Sequence, residues 1–241
     1  GYGAGRVHWF EKHEKNIFDR FYTWGWSSDN DPDVKPMPSP MLSCLKKKMK
    51  SDPVGGILWV GISTTPRYFY VLASNLLSSQ VLDYIKDQER FAQTVSSEVH
   101  DLLLLRLHPV EFGWDEEKRW ADLDPSLKIY RGTKPIIHQL NKCRLCIQTY
   151  NGTSLLETFS ANFPTISFWN HHHWQLRESA RPYFDELREV GIFHDTPESA
   201  AAMVNDIYED IDAWWMSKKV QEVRVRFCNE FARTSDDWTS E

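Results

Sequence analysis

Apolar residues gather in short runs from about residue 56 onward: GILWVGI (56–62), LLLLRL (102–107), LKIY (127–130), RLCIQTY (144–150), PTISFW (164–169) and the weaker GIFHD (191–195). Between them the spacing turns helical near 75–98, 115–122, 134–142, 153–161, 176–190 and 197–207, and a long helix is predicted near 210–233. Strands that alternate with helices argue for βαβ units, a parallel sheet covered by helices on both faces. The unbroken apolar character of LLLLRL fits a strand buried on both sides.

The pattern changes before residue 56. Residues 27–55 carry five of the twelve prolines in a polar run, which is linker composition. Residues 1–26 are too short for a domain and read as the last segment of an N-terminal one, or as an arm packed against the sheet. Gly1, Gly3 and Gly5 are not taken as a phosphate loop, because a dinucleotide fingerprint needs a strand before it. The expected division is therefore a remnant (1–26), a linker (27–55) and an α/β domain (56–241).

Composition narrows the partners. Among 241 residues, 28 Lys and Arg stand against 34 Asp and Glu, a net charge of −6. No global basic field is present to hold a nucleic-acid backbone, and the run Lys46, Lys47, Lys48, Lys50 reads as a solvated local patch. Eleven Trp hint at a carbohydrate or nucleotide partner. The pair Trp214-Trp215 is assigned to packing, since Trp at helical spacing usually serves the core. No run approaches the roughly 18 apolar residues of a membrane span, and the first residues lack a signal-peptide plan. Four Cys (44, 143, 146, 228) do not make a disulfide framework, so a reducing cytoplasm is expected. Cys143-Arg-Leu-Cys146 has no companion pair to complete a metal site.

Ligands of an open parallel sheet bind outside the carboxyl ends of its strands. After RLCIQTY comes Asn151-Gly152-Thr153-Ser154-Leu155-Leu156-Glu157. Strand, glycine turn and helix start would present free N–H groups to a phosphate, with the Thr153 and Ser154 hydroxyls as further donors. A capping box, Ser154-x-x-Glu157, explains the same residues without a ligand. After LLLLRL comes His108-Pro109, preceded by Arg106; the His suits a phosphate contact or acid–base work, or a purely structural role. After GILWVGI come Ser63, Thr64 and Arg67, a loop suited to an anion and also ordinary loop chemistry. After PTISFW come Asn170 and His171 to His173, whose spacing supports no zinc site; this loop is expected to face a sugar or acceptor.

Together these motifs resemble the C-terminal nucleotide-sugar domain of GT-B glycosyltransferases, a Rossmann-like α/β fold. More closely they are similar to transferases of bacterial O-antigen and surface-polysaccharide clusters. The resemblance runs through "GYG", "EKHE", "FDRFYTWGW", "RLHPVEFGW", "TYNGTSLLETFSANFPTISFW" and "AWWMSKKVQ". It implies that Gly152, Thr153 and Ser154 hold the donor phosphates and that Glu157 meets the ribose hydroxyls. The HP motif followed by paired hydroxyls is similar to that of enzymes using cytidine-nucleotide donors. That likeness makes His108 a phosphate contact and a CMP-linked acidic sugar a candidate donor, with UDP- and GDP-sugars also open. The resemblance further implies no cofactor, a glycan or lipid-linked acceptor, and a place at the inner face of the membrane. It assigns no catalytic base. A sugar-nucleotide epimerase and a non-catalytic nucleotide- or glycan-binding module are the alternatives.

Overall fold

In the computed structural model, which describes residues 3–6, 9–64 and 76–238, each of the six apolar runs is a strand. These are β3 (Gly56–Val60), β4 (Leu103–Leu107), β5 (Lys128–Arg131), β6 (Cys143–Gln148), β7 (Thr165–Phe168) and β8 (Phe193–His194), after two short strands, β1 (Phe21–Thr23) and β2 (Val34–Pro36). The six form one sheet in the order β5-β4-β3-β6-β7-β8, and every pair is parallel. This is the doubly wound Rossmann order, with its reversal of direction between β3 and β6.

Alternation along each strand decides which face a side chain serves. From β3, Ile57 and Trp59 enter a cluster with Phe91, Trp120, Ala200 and Val204, so helices Ser78–Thr94, Glu116–Leu123 and Pro197–Ile207 cover one face. Leu58 and Val60 point the other way, to Leu140, Cys146 and Phe163. Cys143 and Cys146 share that second cluster, and burial pushes the Cys143 thiol up to about 12. Thiols so buried are packing groups and poor nucleophiles.

The long C-terminal helix is broken into Ile211–Trp215 and Lys218–Phe231. Both Trp side chains of the break are anchored: Trp214 Nε1 donates to Val190 O at 3.0 Å and Trp215 Nε1 to Asn162 O at 3.1 Å. Among the described residues, no helix is long and apolar enough to cross a membrane.

Residues 27–55 and the described part of residues 1–26 are folded together onto this domain. Ser39 caps the helix Pro40–Lys46, whose proline lies in the first turn, the arrangement that favours a helix start. Leu42, Phe21, Trp26 and Ala4 enter the cluster built by Leu155, Phe159, Phe227 and Phe231. Backbone bonds fasten the segment at Arg233 N to Trp24 O (2.8 Å) and Ser39 N to Arg233 O (2.8 Å). Arg177 joins it as well, pairing with Glu11 at 2.8 Å and lying 5.1 Å over the Trp26 ring. Truncating the fully buried Leu42 to Ala is expected to cost about 2–5 kcal/mol, measured as a fall in the urea midpoint. Val54→Ala, at a 91% exposed position, serves as the control and should leave the midpoint unchanged.

Candidate functional site

At the reversal between β3 and β6 the chain leaves both strands in opposite directions, and backbone groups that would pair in a continuing sheet need other partners. One relay supplies them. The Ile62 N–H donates to the Tyr84 hydroxyl at 3.0 Å, Tyr84 donates to Thr149 Oγ1 at 2.7 Å, and Thr149 donates to Val60 O at 2.7 Å. The direction follows because the Thr149 hydrogen is already given to the carbonyl. Burial holds the Tyr84 phenol far above its usual range, so it stays a donor.

Two residues beyond Thr149 the chain turns into the helix Thr153–Ser160. Gly152 precedes it in an extended conformation, and the Tyr150 ring lies so close that a Cβ on Gly152 would meet Tyr150 Cε2 at 2.3 Å. Only glycine permits that approach. The amides of Thr153 and Ser154 belong to the first turn, where no intrahelical acceptor exists, and the helix dipole makes this end electropositive. Thr153 is exposed beside them, while Asn151 is buried.

The capping-box alternative does not hold. Ser154 is the second helical residue, and its hydroxyl donates to Gln148 Oε1 at 2.9 Å while touching the Tyr150 hydroxyl at 3.3 Å. Glu157 is thereby free of any capping duty. Its half-buried carboxyl has no hydrogen-bond or ion-pair partner among the described residues, and burial raises its pKa. Thr153 and Glu157 are four residues apart and share a helix face.

The other expected residues are distributed around this centre. Arg106 is already committed: its guanidinium donates to Gln139 Oε1 (2.7 Å), Lys134 O (2.7 Å) and Gly132 O (3.2 Å), and lies 5.7 Å from the Tyr130 ring centre. It ties β4 to the segment after β5. His108 is half-buried at the end of β4, with Nδ1 3.1 Å from both the N and O of Val110, which leaves Nε2 for another partner. The loop that holds His108 is gathered by Glu111, whose carboxylate accepts from the amides of Gly113, Trp114 and Asp115. Trp114 Nε1 then reaches Thr64 O at 2.5 Å, which joins the loops after β3 and β4.

Ser63 and Thr64 stand at the mouth of β3, Thr64 buried. Ser63 adjoins Glu116, an acid that sequence reading passed over; burial raises its pKa, and the Ser63 hydroxyl and Arg131 oppose that rise. Arg67 lies outside the described residues. Asn170 and His171 sit on the loop after β7, two steps from the relay: Asn170 Oδ1 accepts from His172 N (2.9 Å), and His171 Nδ1 is 3.7 Å from Asp195. Tyr84, Thr149, Tyr150 and Glu116 were missed. Thr149 and Tyr150 carried a signal, their place directly between a strand and an Asn-Gly turn; Tyr84 and Glu116 lie on helices far away in sequence and carried none.

The Glu157 carboxyl has a pH signature. A carboxyl whose folded pKa lies above its unfolded value favours the folded state while protonated, and that contribution is lost as pH rises from the unfolded value through the folded one. Glu157→Gln is therefore expected to raise the melting temperature at pH 7, with the gain shrinking as pH falls towards 4.5, the ordinary value. Thermal unfolding of both proteins across that range checks it.

The chain is similar to the spinosyn rhamnosyltransferase SpnG complexed with spinosyn aglycone, at 12% identity and a TM-score of 0.45 over 86% of this chain and 51% of that one. It is also similar to an alpha,alpha-trehalose 6-phosphate synthase from Burkholderia multivorans, at 8% identity and a TM-score of 0.47, covering 82% and 47% of the two chains. The wall teichoic acid polymerase TagF matches at 10% identity and a TM-score of 0.47, over 100% of this chain and 63% of that one. The chain thus spans about half the length of the first two. No curated protein matches it. The family model described as LIC12162 family transferase matches residues 1–241 from end to end, and the chain belongs to that transferase family.

Proposed function

We propose that the chain is the donor-binding, C-terminal half of a GT-B-type glycosyltransferase that moves a sugar from a nucleotide-sugar to a surface-polysaccharide acceptor. The observation that carries this reading is the open helix start at Gly152–Ser154, set at the sheet's reversal with an unpaired acid one turn further on. A phosphate on the amides of Thr153 and Ser154 leaves the ribose about one helical pitch, roughly 5 Å, along the same face. Glu157 waits there to accept the ribose hydroxyl hydrogens. Membership of a transferase family supports group transfer over simple binding.

In this mechanism the chain's own groups bind the donor and stabilise the departing nucleotide. Negative charge grows on the phosphate as the bond to the anomeric carbon breaks, and fixed N–H dipoles with the His108 imidazole meet it without reorganising. Thr153 adds a hydroxyl donor. No cofactor enters the proposal, since those donors carry the charge. The donor considered first is a CMP-linked acidic sugar, in keeping with His108-Pro109 and the Thr153 hydroxyl, the Ser154 hydroxyl being spent on Gln148. The acceptor is a glycan or lipid-linked glycan, reached at the cytoplasmic face of the membrane by peripheral contact.

Calorimetric titration with CMP, UDP and GDP tests the reading. One nucleotide should bind, and Glu157→Ala should weaken it by about 10-fold or more, because one hydrogen bond to a charged group is worth about 1.5–3 kcal/mol. His108→Ala should weaken the same nucleotide. Failure of all three nucleotides to bind, or binding indifferent to both variants in a folded protein, contradicts the proposal.

A further inference from the structure

A cleft of about 370 Å³ opens between the loop after β7 and the helix Arg181–Glu189. Its volume falls within the range of small-molecule sites, about 300–1,000 Å³. Asp195 and His171 place it on the rim made by the carboxyl ends of β8 and β7. β7 is the neighbour of β6 and β8 the next strand, so one or two strand spacings, roughly 5–10 Å, separate it from the Gly152 turn.

The cleft has an uneven balance of charge. Arg6 enters it from the N-terminal segment, held in place by its backbone: Arg6 N donates to Gln175 O at 2.8 Å, and Gly5 bridges Leu176. Its Nη1 donates to the neutral Gln175 Oε1 at 2.8 Å, and no carboxylate pairs with it among the described residues. Arg181 is exposed on the opposite wall, with no hydrogen-bond or ion-pair partner among the described residues.

The two acids of the cleft are taken. Arg188 grips Asp195 through two bonds, Nε to Oδ2 at 2.7 Å and Nη2 to Oδ1 at 3.1 Å, and it also pairs with Asp185. His171 lies 3.7 Å from Asp195 on the same side. Arg6 and Arg181 are left as two guanidiniums facing one concave space, on a chain whose net charge is −6. Guanidinium forks match the paired oxygens of phosphate and carboxylate, and their charge is weakly hydrated. The remaining polar lining, His171, His172 and Gln175, suits hydroxyl groups.

We infer that this cleft is a second anion site, which binds a phosphate or carboxylate carried by a saccharide through Arg6 and Arg181. Assigning that saccharide to the acceptor rests on the glycosyltransferase reading; the anion binding itself does not.

The test titrates the chain with glucose 6-phosphate, with oligogalacturonic acid and with neutral maltotriose. At least one anionic saccharide should bind, more weakly as salt rises, and maltotriose should not. Which of the two binds separates a phosphate ligand from a carboxylate one. Arg6→Ala with Arg181→Ala should reduce the affinity at least 10-fold, Arg181→Glu should abolish binding, and Arg181→Lys should retain part of it. Nucleotide affinity should stay unchanged in all of them, so a failure here is distinguishable from a failure of the donor site. Binding of neither anion, equal binding of maltotriose, or anion binding unaffected by Arg181→Glu overturns the inference.

Discussion

The central constraint on this protein is the parting of the chain between β3 and β6. A parallel sheet that reverses its winding leaves its two middle strands with no shared continuation, and the polar backbone at their ends must be satisfied in a buried place. The relay from the Ile62 amide through Tyr84 and Thr149 to the Val60 carbonyl does this with two hydroxyls, drawn from a helix and a strand end. Every donor in it has an acceptor, so the polar backbone at the reversal is satisfied within the protein. Whatever sits at the mouth rests on a fixed floor.

The helix that opens at this mouth is held from behind. Leu155, Leu156 and Phe159 are fully buried, and Phe159 packs edge-on against Phe227 at 5.3 Å. Arg224 donates to the Phe159 carbonyl at 2.9 Å, so the helix Lys218–Phe231 grips the site helix by both apolar and polar contacts. That grip is extended by the N-terminal segment through Trp24, Trp26 and Leu42. Aromatic side chains supply much of this wall, and this packing accounts for part of the high tryptophan content. The electropositive helix start is therefore presented by a rigid support, which is what a site that must meet developing charge requires.

Much of the fold was legible because its signals are local. Six apolar runs became six strands, and "TYNGTSLLE" became strand end, turn and helix because Asn-Gly breaks the strand while SLLETFS has helical spacing. The rest depended on distance in sequence. Tyr84 meets Thr149 across 65 residues, and no window contains both. The capping box was spelled correctly in residues, yet Gly152 takes the cap position and Gln148 draws the Ser154 hydroxyl away. Arg106 read as an available cation, but carbonyls of the segment after β5 surround it. Prolines in 27–55 read as linker, although Ser39-Pro40 is a helix start and the apolar residues around it are buried by a helix nearly two hundred positions away.

The central claim is that the phosphate of a donor nucleotide rests on the amides of the helix that opens after Gly152. A crystal structure of the chain with the nucleotide it prefers tests this most directly. The account predicts phosphate oxygens within hydrogen-bond distance of the Thr153 and Ser154 amides, with the ribose against Glu157. A nucleotide seated at the amino ends of the strands, or with its phosphate away from that helix start, would contradict it.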